Sequence, residues 1–449
     1  MRLLLLLTAL LGMTPFTLAT QAEDTPPNII FIMADDLGYG DLGCYGQDLI
    51  KTPHIDSIAK NGVLFTYCYA GSAVCAPARD ALMTGRHSGH LDRRENQAKA
   101  HRNELTRGLV PMPDKTVTVA ELLKDQGYAT GGFGKWGLGN PGTTGSPEKQ
   151  GFDLWYGYLD QVHAHDYYTD YLVRSIPGKG SINETIPGNK DGKSESYTAD
   201  LIHEESLAFI RKNKERPFFC YLATTLPHGD YVVPSLGMYA DKDWSKKEKT
   251  YAAMVTRMDR HIGEVLALLK ELKIDNNTIV FFTADHGPEE VSLGRFHGSF
   301  GQRGMKRSLY EGGVRVPMVV QWPGKIKPGS VSDFVWWHPD FLPTAVELAG
   351  GVKPADVDGV SVLPTLLGEA QRPHEHFYFE FHDPFQQSVR RGKWKAIRFG
   401  ISKPTQLYDL EADPNEQVNL AETKPELVEE LEAVMDSSRT TNKYWPLKQ

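Results

Sequence analysis

Several short blocks of this chain carry side chains that could do chemistry together. Asp35 and Asp36 close the apolar run NIIFIMADD, and Asp285 and His286 close a second one, TIVFFTADHG. Adjacent carboxylates repel one another unless a cation sits between them, so a hard divalent metal is the physical reason to pair them. Two acidic residues at the end of a run are also common on surfaces, and alone they decide nothing. Together with Asp285 and His286 they offer four ligands for one divalent site, beside Cys75. Cys75 opens the block CAPARDALMTGRH, with Pro77 and Arg79 at C-x-P-x-R spacing and Thr84-Gly85-Arg86 shortly after. A lone cysteine of this kind reads as a buried structural thiol beside a proline turn. Lys135 sits in GKWGLGN, where Trp136 limits the lysine's access to solvent, and His228 sits in TTLPHGD. Histidine titrates near neutrality, which suits a general acid, although a satisfied structural histidine is the plainer alternative. Lys306 lies four residues before Tyr310-Glu311-Gly312-Gly313, and QVHAHDYY contributes His163 and His165. His297 in RFHGSFG and Arg303 complete the set as candidates to line a substrate subsite, or as rim residues with no role.

These residues need a scaffold, and the hydropathy pattern supplies one. Apolar, β-branched and aromatic runs alternate with helical periodicity, the signature of a βαβ layered fold. Strands are expected at 28–36, 63–70, 217–225, 278–287 and 314–324, and helices at 55–62, 78–85, 116–127, 201–213, about 249–273 and 343–348. Strands that are apolar at nearly every position suit a sheet covered on both faces. Ligands gather at the carboxyl ends of strands in such sheets. Asp35, Asp36, Gly134, His228 and Asp285 all fall just after apolar runs, which points to one shared site. From Asp160 to Asp200 the chain is polar and aromatic without clear periodicity and is expected to be a long functional loop. After about residue 355 the pattern changes to alternating strands and a closing helix, KPELVEELEAVMDSSR, and predicts a small C-terminal α+β subdomain.

With 449 residues and 40% hydrophobic content, the chain can bury a large core. Its formal net charge of −8 argues against nucleic acid and against an anionic membrane surface as partners. An anionic substrate must then be drawn by a local basic cluster. Residues 1–22 read as a secretory signal: Arg2, an apolar run from Leu3 to Leu11, and small residues Thr20 and Ala22 before a cleavage point. The run is too short to span a bilayer, so no stable membrane insertion is expected and the protein is exported, to the periplasm or beyond. Four cysteines, of which Cys220 lies in a core-like run, do not make a disulfide scaffold.

The block at Cys75, with GKWGLGN, TTLPHGD and K-x-x-x-Y-E-G-G in that order, resembles the type I, formylglycine-dependent sulfatases, from about Asn28 to Trp445. Within them it is similar to secreted bacterial arylsulfatase-type enzymes acting on sulfated carbohydrates. The resemblance implies an alkaline-phosphatase-like α/β sandwich with a large central mixed sheet. It divides the chain into signal peptide (1–22), catalytic domain (23–355) and C-terminal subdomain (356–449). It implies that a maturase oxidises Cys75 to formylglycine, whose aldehyde hydrate attacks sulfur with one hydroxyl and expels sulfate through the other. It assigns Asp35, Asp36, Asp285 and His286, beside residue 75, to Ca2+. A nitrogen ligand is less typical for Ca2+, so Mn2+, Mg2+ or Zn2+ stay open. Arg79, Lys135 and Lys306 would hold the nucleophile and the sulfuryl oxygens, and His228 would protonate the leaving alcohol. Glu311 is expected to brace its loop. The family often has a histidine two residues after this lysine, where the chain has Gly137. His163 is the expected replacement as base, with His165, His297 and Arg303 as substrate contacts. The rival readings are a phosphonate or phosphate ester hydrolase of the same superfamily, and a non-catalytic glycan-binding relative.

Overall fold

A computed structural model describes residues 25–98, 103 and 108–447; the expected signal segment at 1–22 lies outside the described residues. The strand Asn28–Ala34 is buried at every position. It pairs in parallel with Thr278–Ala284 on one side and Phe218–Ala223 on the other. Those two strands are equally buried. The three form the centre of a ten-stranded mixed sheet among the described residues. Beyond Phe218–Ala223 come Ala129–Lys135 and Leu154–Tyr158, both parallel, and then the antiparallel strands Tyr171–Ile176 and Gly180–Thr185. Beyond Thr278–Ala284 come Met318–Gln321, antiparallel, then Val63–Phe65 and Ser330–Ser332.

Successive side chains on a strand point to opposite faces, and both faces here meet helices. Phe31 stacks near Phe341 of helix Phe341–Leu348, with ring centroids 4.2 Å apart. Its neighbour Ile32 points instead toward Met258 and Ile262 of helix Lys246–Glu271. That covering explains why the central strands read as continuous apolar runs. The long helix starts with a capping box, in which Ser245 Oγ accepts from the Glu248 N–H and the Glu248 carboxylate accepts from the Ser245 N–H. Helix Val119–Asp125 starts in the same way on Thr118 and Glu121.

The predicted C-terminal antiparallel sheet is present as Phe377–His382, Phe385–Arg391, Trp394–Arg398 and Gln406–Asp409. Helix Pro425–Ser437 packs Leu431 and Met435 onto Tyr378, Val389, Ala396 and Leu407. The stretch 160–200, expected to be a long loop, contains a hairpin instead, formed by Tyr171–Ile176 and Gly180–Thr185. They extend the sheet at its edge, where one side faces solvent and the residues can be polar. The strand expected over 63–70 splits into Val63–Phe65 in the main sheet and Cys68–Tyr69, which pairs with Trp336–Trp337. No helix among the described residues is long and apolar enough to cross a membrane. All four cysteines are free thiols.

Candidate active site

Strand register brings the carboxylates together. Ala34 is paired with Ala284, so the next residues, Asp35 and Asp285, emerge side by side at the carboxyl edge of the sheet. Gly134 is paired with Ala223 one strand further on, so Lys135 ends its strand at the same edge. Gly134 has φ +112°, and a Cβ there would fall 1.9 Å from the Ala223 carbonyl oxygen. Only glycine allows this approach, and it aims Lys135 inward. Asp36 takes a left-handed turn at φ +66°, and its N–H donates to Asp285 Oδ1 at 3.2 Å.

Cys75 is the first residue of helix Cys75–Thr84, all of it buried and closed by Gly85 at φ +68°. Arg79, four residues on, lies on the same face one turn later. The Cys75 Sγ is 3.3 Å from Lys135 Nζ, 3.3 Å from His286 Nε2 and 3.6 Å from Asp35 Oδ1. Lys135 Nζ donates to Asp35 Oδ2 at 2.7 Å. Arg79 donates to Asp285 Oδ2 at 3.0 Å and to the Lys135 carbonyl at 2.7 Å. Lys306 Nζ donates to Asp36 Oδ2 at 2.8 Å and lies 3.0 Å from Glu289 Oε1. His228 directs Nδ1 at the Gly229 carbonyl, while its Nε2 lies 3.4 Å from Lys306 Nζ and 3.5 Å from Asp36 Oδ2.

The charges interlock. Burial acts to raise the Asp35 and Cys75 groups, but Lys135 and the other cations outweigh it and hold both well below their ordinary ranges. Asp36 is likewise held at about 2 against burial, chiefly by Lys306. Burial, joined by the Asp35 charge, pushes Asp285 up to about 7. His286 is buried, yet Asp285 and the Cys75 sulfur carry it to about 9. Burial would lower His228, and Asp36 raises it above its ordinary value. A carboxylate cluster that drives protons onto its own members is one that a cation would stabilise.

The donor set fits a divalent metal. The ligand atoms of Asp35, Cys75, Asp285 and His286 lie within 4.8 Å of one another. Among the described residues the buried Asp36 Oδ1 accepts no hydrogen bond, and His286 Nε2 lies 3.2 Å from it. His286 Nδ1 is 2.9 Å from the Gly287 carbonyl, which fixes the proton there and leaves Nε2 to face the cluster. Asp35, Asp36, Asp285 and His286 are the residues that could hold the ion.

A model of the sulfatase family, described as "Sulfatase", matches residues 27–352. The chain belongs to the sulfatase family. A second model, "N-sulphoglucosamine sulphohydrolase, C-terminal", matches residues 297–441 of this sulfatase. N-acetylgalactosamine-6-O-sulfatase of Bacteroides thetaiotaomicron is 32% identical over 92% of this chain and 93% of that enzyme. Arylsulfatase A of Homo sapiens is 32% identical over 90% of this chain and 86% of its own. The solved structure of Ps i-CgsB in complex with k-i-k-neocarrahexaose matches with a TM-score of 0.80 at 28% identity, covering 95% of this chain and 96% of that one. The alkaline-phosphatase-like fold and sulfuric ester hydrolysis follow from this membership.

The sulfatase's cluster opens into a cavity of about 540 Å³ lined by Cys75, His165, His228 and Lys306 among others. His165 meets His228 edge-on, with ring centroids 4.3 Å apart. Three expected site residues lie elsewhere. His163 pairs through Nε2 with Thr169 Oγ1 at 2.8 Å and stacks on Tyr171, so its ring is built into the neighbouring strand rather than the cavity wall. His297 lines a separate surface pocket with Phe300 and Gln47. Arg303 lies over the Tyr310 ring and donates to Tyr408 Oη and the Glu416 carbonyl, tying the small sheet to its loop. Glu311 braces this region as expected, accepting from Tyr69 Oη at 2.8 Å and Lys395 Nζ at 2.8 Å. The sequence reading missed Gln161 and Glu95, which also line the cavity. Glu95 sits in the polar run RREN, which reads as solvated, and the only pointer to Gln161 was the glycine at 137.

Proposed function

We propose that this sulfatase removes sulfate from O-sulfated carbohydrates after conversion of Cys75 to formylglycine by a maturase. The observation that carries the reading is the convergence on Cys75 Sγ of Lys135 Nζ, His286 Nε2 and Asp35 Oδ1 within 3.6 Å, with Cys75 in the wall of one polar cavity. The carbohydrate class rests on the sulfated sugars named in the relatives. Formylglycine would supply the geminal-diol nucleophile and the route by which sulfate departs. A divalent ion held by Asp35, Asp36, Asp285 and His286, Ca2+ or one of Mn2+, Mg2+ and Zn2+, would supply Lewis-acid stabilisation of the sulfuryl oxygens.

The chain's own residues do the rest. Lys135 and Lys306 flank the reacting position with fixed ammonium groups, aimed where negative charge develops and needing no reorganisation there. Arg79 donates to Asp285 and the Lys135 carbonyl, and so holds the base of the site rigid. The N-terminus of helix Cys75–Thr84 adds its partial positive charge at residue 75. His228, whose affinity for a proton Asp36 raises against burial, donates a proton from Nε2 to the leaving alcohol oxygen. His165 is the imidazole beside it on the cavity wall and takes the place expected for His163 as base. The apolar run Leu3–Leu11 behind Arg2, read as a secretory signal, supports action outside the cytoplasm.

Two ammonium groups suit sulfate and phosphate esters alike, so the test compares both esters of one phenol. The protein is co-expressed with a formylglycine-generating enzyme, and the mass of the peptide spanning residue 75 is measured. The expected result is an aldehyde at that position and faster hydrolysis of the sulfate. Preference for the phosphate would favour the phosphohydrolase reading. A full aldehyde with neither ester nor any sulfated sugar cleaved would favour a glycan-binding relative.

A further inference from the structure

Two side chains that line the reaction cavity carry buried polar atoms with no hydrogen-bond partner among the described residues. Gln161 is 8% exposed, and neither its amide oxygen nor its amide nitrogen is hydrogen-bonded. Glu95 Oε2 is buried and unpartnered as well, while Oε1 accepts from the Asn96 N–H at 2.8 Å. Leaving such a group unpaired costs about 1–3 kcal/mol. An unpaired group at a cavity wall calls for a partner that enters the cavity, whether ordered water or a ligand.

Gln161 also has a place made for it. A Cβ at residue 137 would fall 1.8 Å from Gln161 Nε2, and Gly137 has φ +76°. The absence of a side chain at residue 137 therefore admits the Gln161 amide to the cavity wall. An amide does not take up a proton near neutrality, so Gln161 does not substitute for a base. It offers donors and an acceptor in a fixed plane, and Glu95 offers an acceptor. A sugar hydroxyl both donates and accepts, so hydroxyls flanking a sulfate ester match this pair.

On the reading of the cavity as a carbohydrate sulfatase site, we propose that Gln161 and Glu95 recognise the leaving-group sugar through free hydroxyls next to the sulfate ester. They are specificity-determining residues and take no part in the cleavage of the S–O bond.

The test uses the matured full-length enzyme on a panel of monosulfated hexoses and hexosamines, beginning with N-acetylgalactosamine 6-sulfate, and on 4-nitrophenyl sulfate, whose leaving group has no such hydroxyls. Gln161→Leu is expected to lower kcat/KM on the preferred sugar by about tenfold or more, and on the aryl ester by less than about threefold. Glu95→Gln is expected to act in the same direction. Gln161→Met, neutral and of similar length, guards against a packing defect and is expected to show the same split. Calorimetry with the desulfated sugar is expected to show about tenfold weaker binding to Gln161→Leu. Equal losses on both esters, or unchanged sugar turnover and affinity, would overturn the assignment. A wild-type enzyme that cleaves the aryl ester and none of the sugars would instead overturn the carbohydrate reading on which it rests.

Discussion

At the scale of single residues, the site is a set of charges that hold one another in place. Lys306 is 7% exposed, and its ammonium is fixed by Asp36 and Glu289 rather than by solvent. Replacing it with alanine removes a pre-oriented cation from the position of developing charge. Lys306→Ala is therefore expected to lower kcat by about 10²–10³ or more. Its melting temperature should move far less than that loss would suggest, because Glu289 is partly open to solvent. Near-normal turnover of a sulfate ester by this variant would remove Lys306 from the reaction. The sequence showed most of this cluster, because each member sits at a strand end or inside a dense motif. Gln161 and Glu95 were not legible. What marks them is polar atoms left unbonded among the described residues, and an unsatisfied hydrogen bond leaves no trace in residue type or spacing. His163 and His165 differ in the same way: identical side chains two positions apart, sorted by which one the backbone turns toward the cavity.

At the scale of elements, the strand ends set the precision of the site. Gly134→Ala would force a Cβ into the Ala223 carbonyl and fix a side chain at φ +112°, and both effects must be relieved by moving the strand. It is expected to destabilise the fold by about 2–4 kcal/mol, an overpacking cost with a backbone cost added, and to lower turnover further by displacing Lys135. Thermal unfolding and kcat measured on the same preparation check this. A variant with wild-type melting and rate would show that the close approach is not needed. The central strands were legible because both faces are covered and every position is apolar. The hairpin Tyr171–Thr185 was not. At the rim of the sheet a strand needs only its hydrogen bonds, and Gly180–Thr185 is largely exposed, so neither an apolar run nor an alternation marks it.

At the scale of the whole molecule, the small sheet is a structural partner of the cavity. Glu380 on Phe377–His382 is fully buried and accepts from Arg94 Nη1 at 2.9 Å, Arg439 Nε at 2.8 Å and Tyr378 Oη at 2.6 Å. Arg94 immediately precedes Glu95, so this carboxylate pins the cavity wall to the C-terminal sheet. Burial raises the Glu380 pKa, but the bonds from His382 and Arg439 and the Arg94 charge hold it well below its ordinary 4.5. A depressed carboxyl stabilises the folded state above its unfolded pKa, and that stability is lost as pH falls through the folded value. Melting temperature is thus expected to drop on acidification below pH 4.5. Glu380→Gln, which strands two arginines, should cost about 3–5 kcal/mol at neutral pH and show a shallower acid slope. A parallel pair of melting curves against pH would contradict this. The sequence marked the small sheet by its alternation but gave no sign of this junction, which joins residues 286 positions apart.

The pairing of Asn28–Ala34 with Thr278–Ala284 also has a consequence in time. The two strands are 250 positions apart, and Asp35 and Asp36 cannot meet Asp285 and His286 until the later strand exists. At a synthesis rate of about 5–20 residues per second, the first strand waits on the order of 10–50 s with an apolar edge open. A chain built this way needs protection during its own birth, and an exported one needs it until it has crossed the membrane.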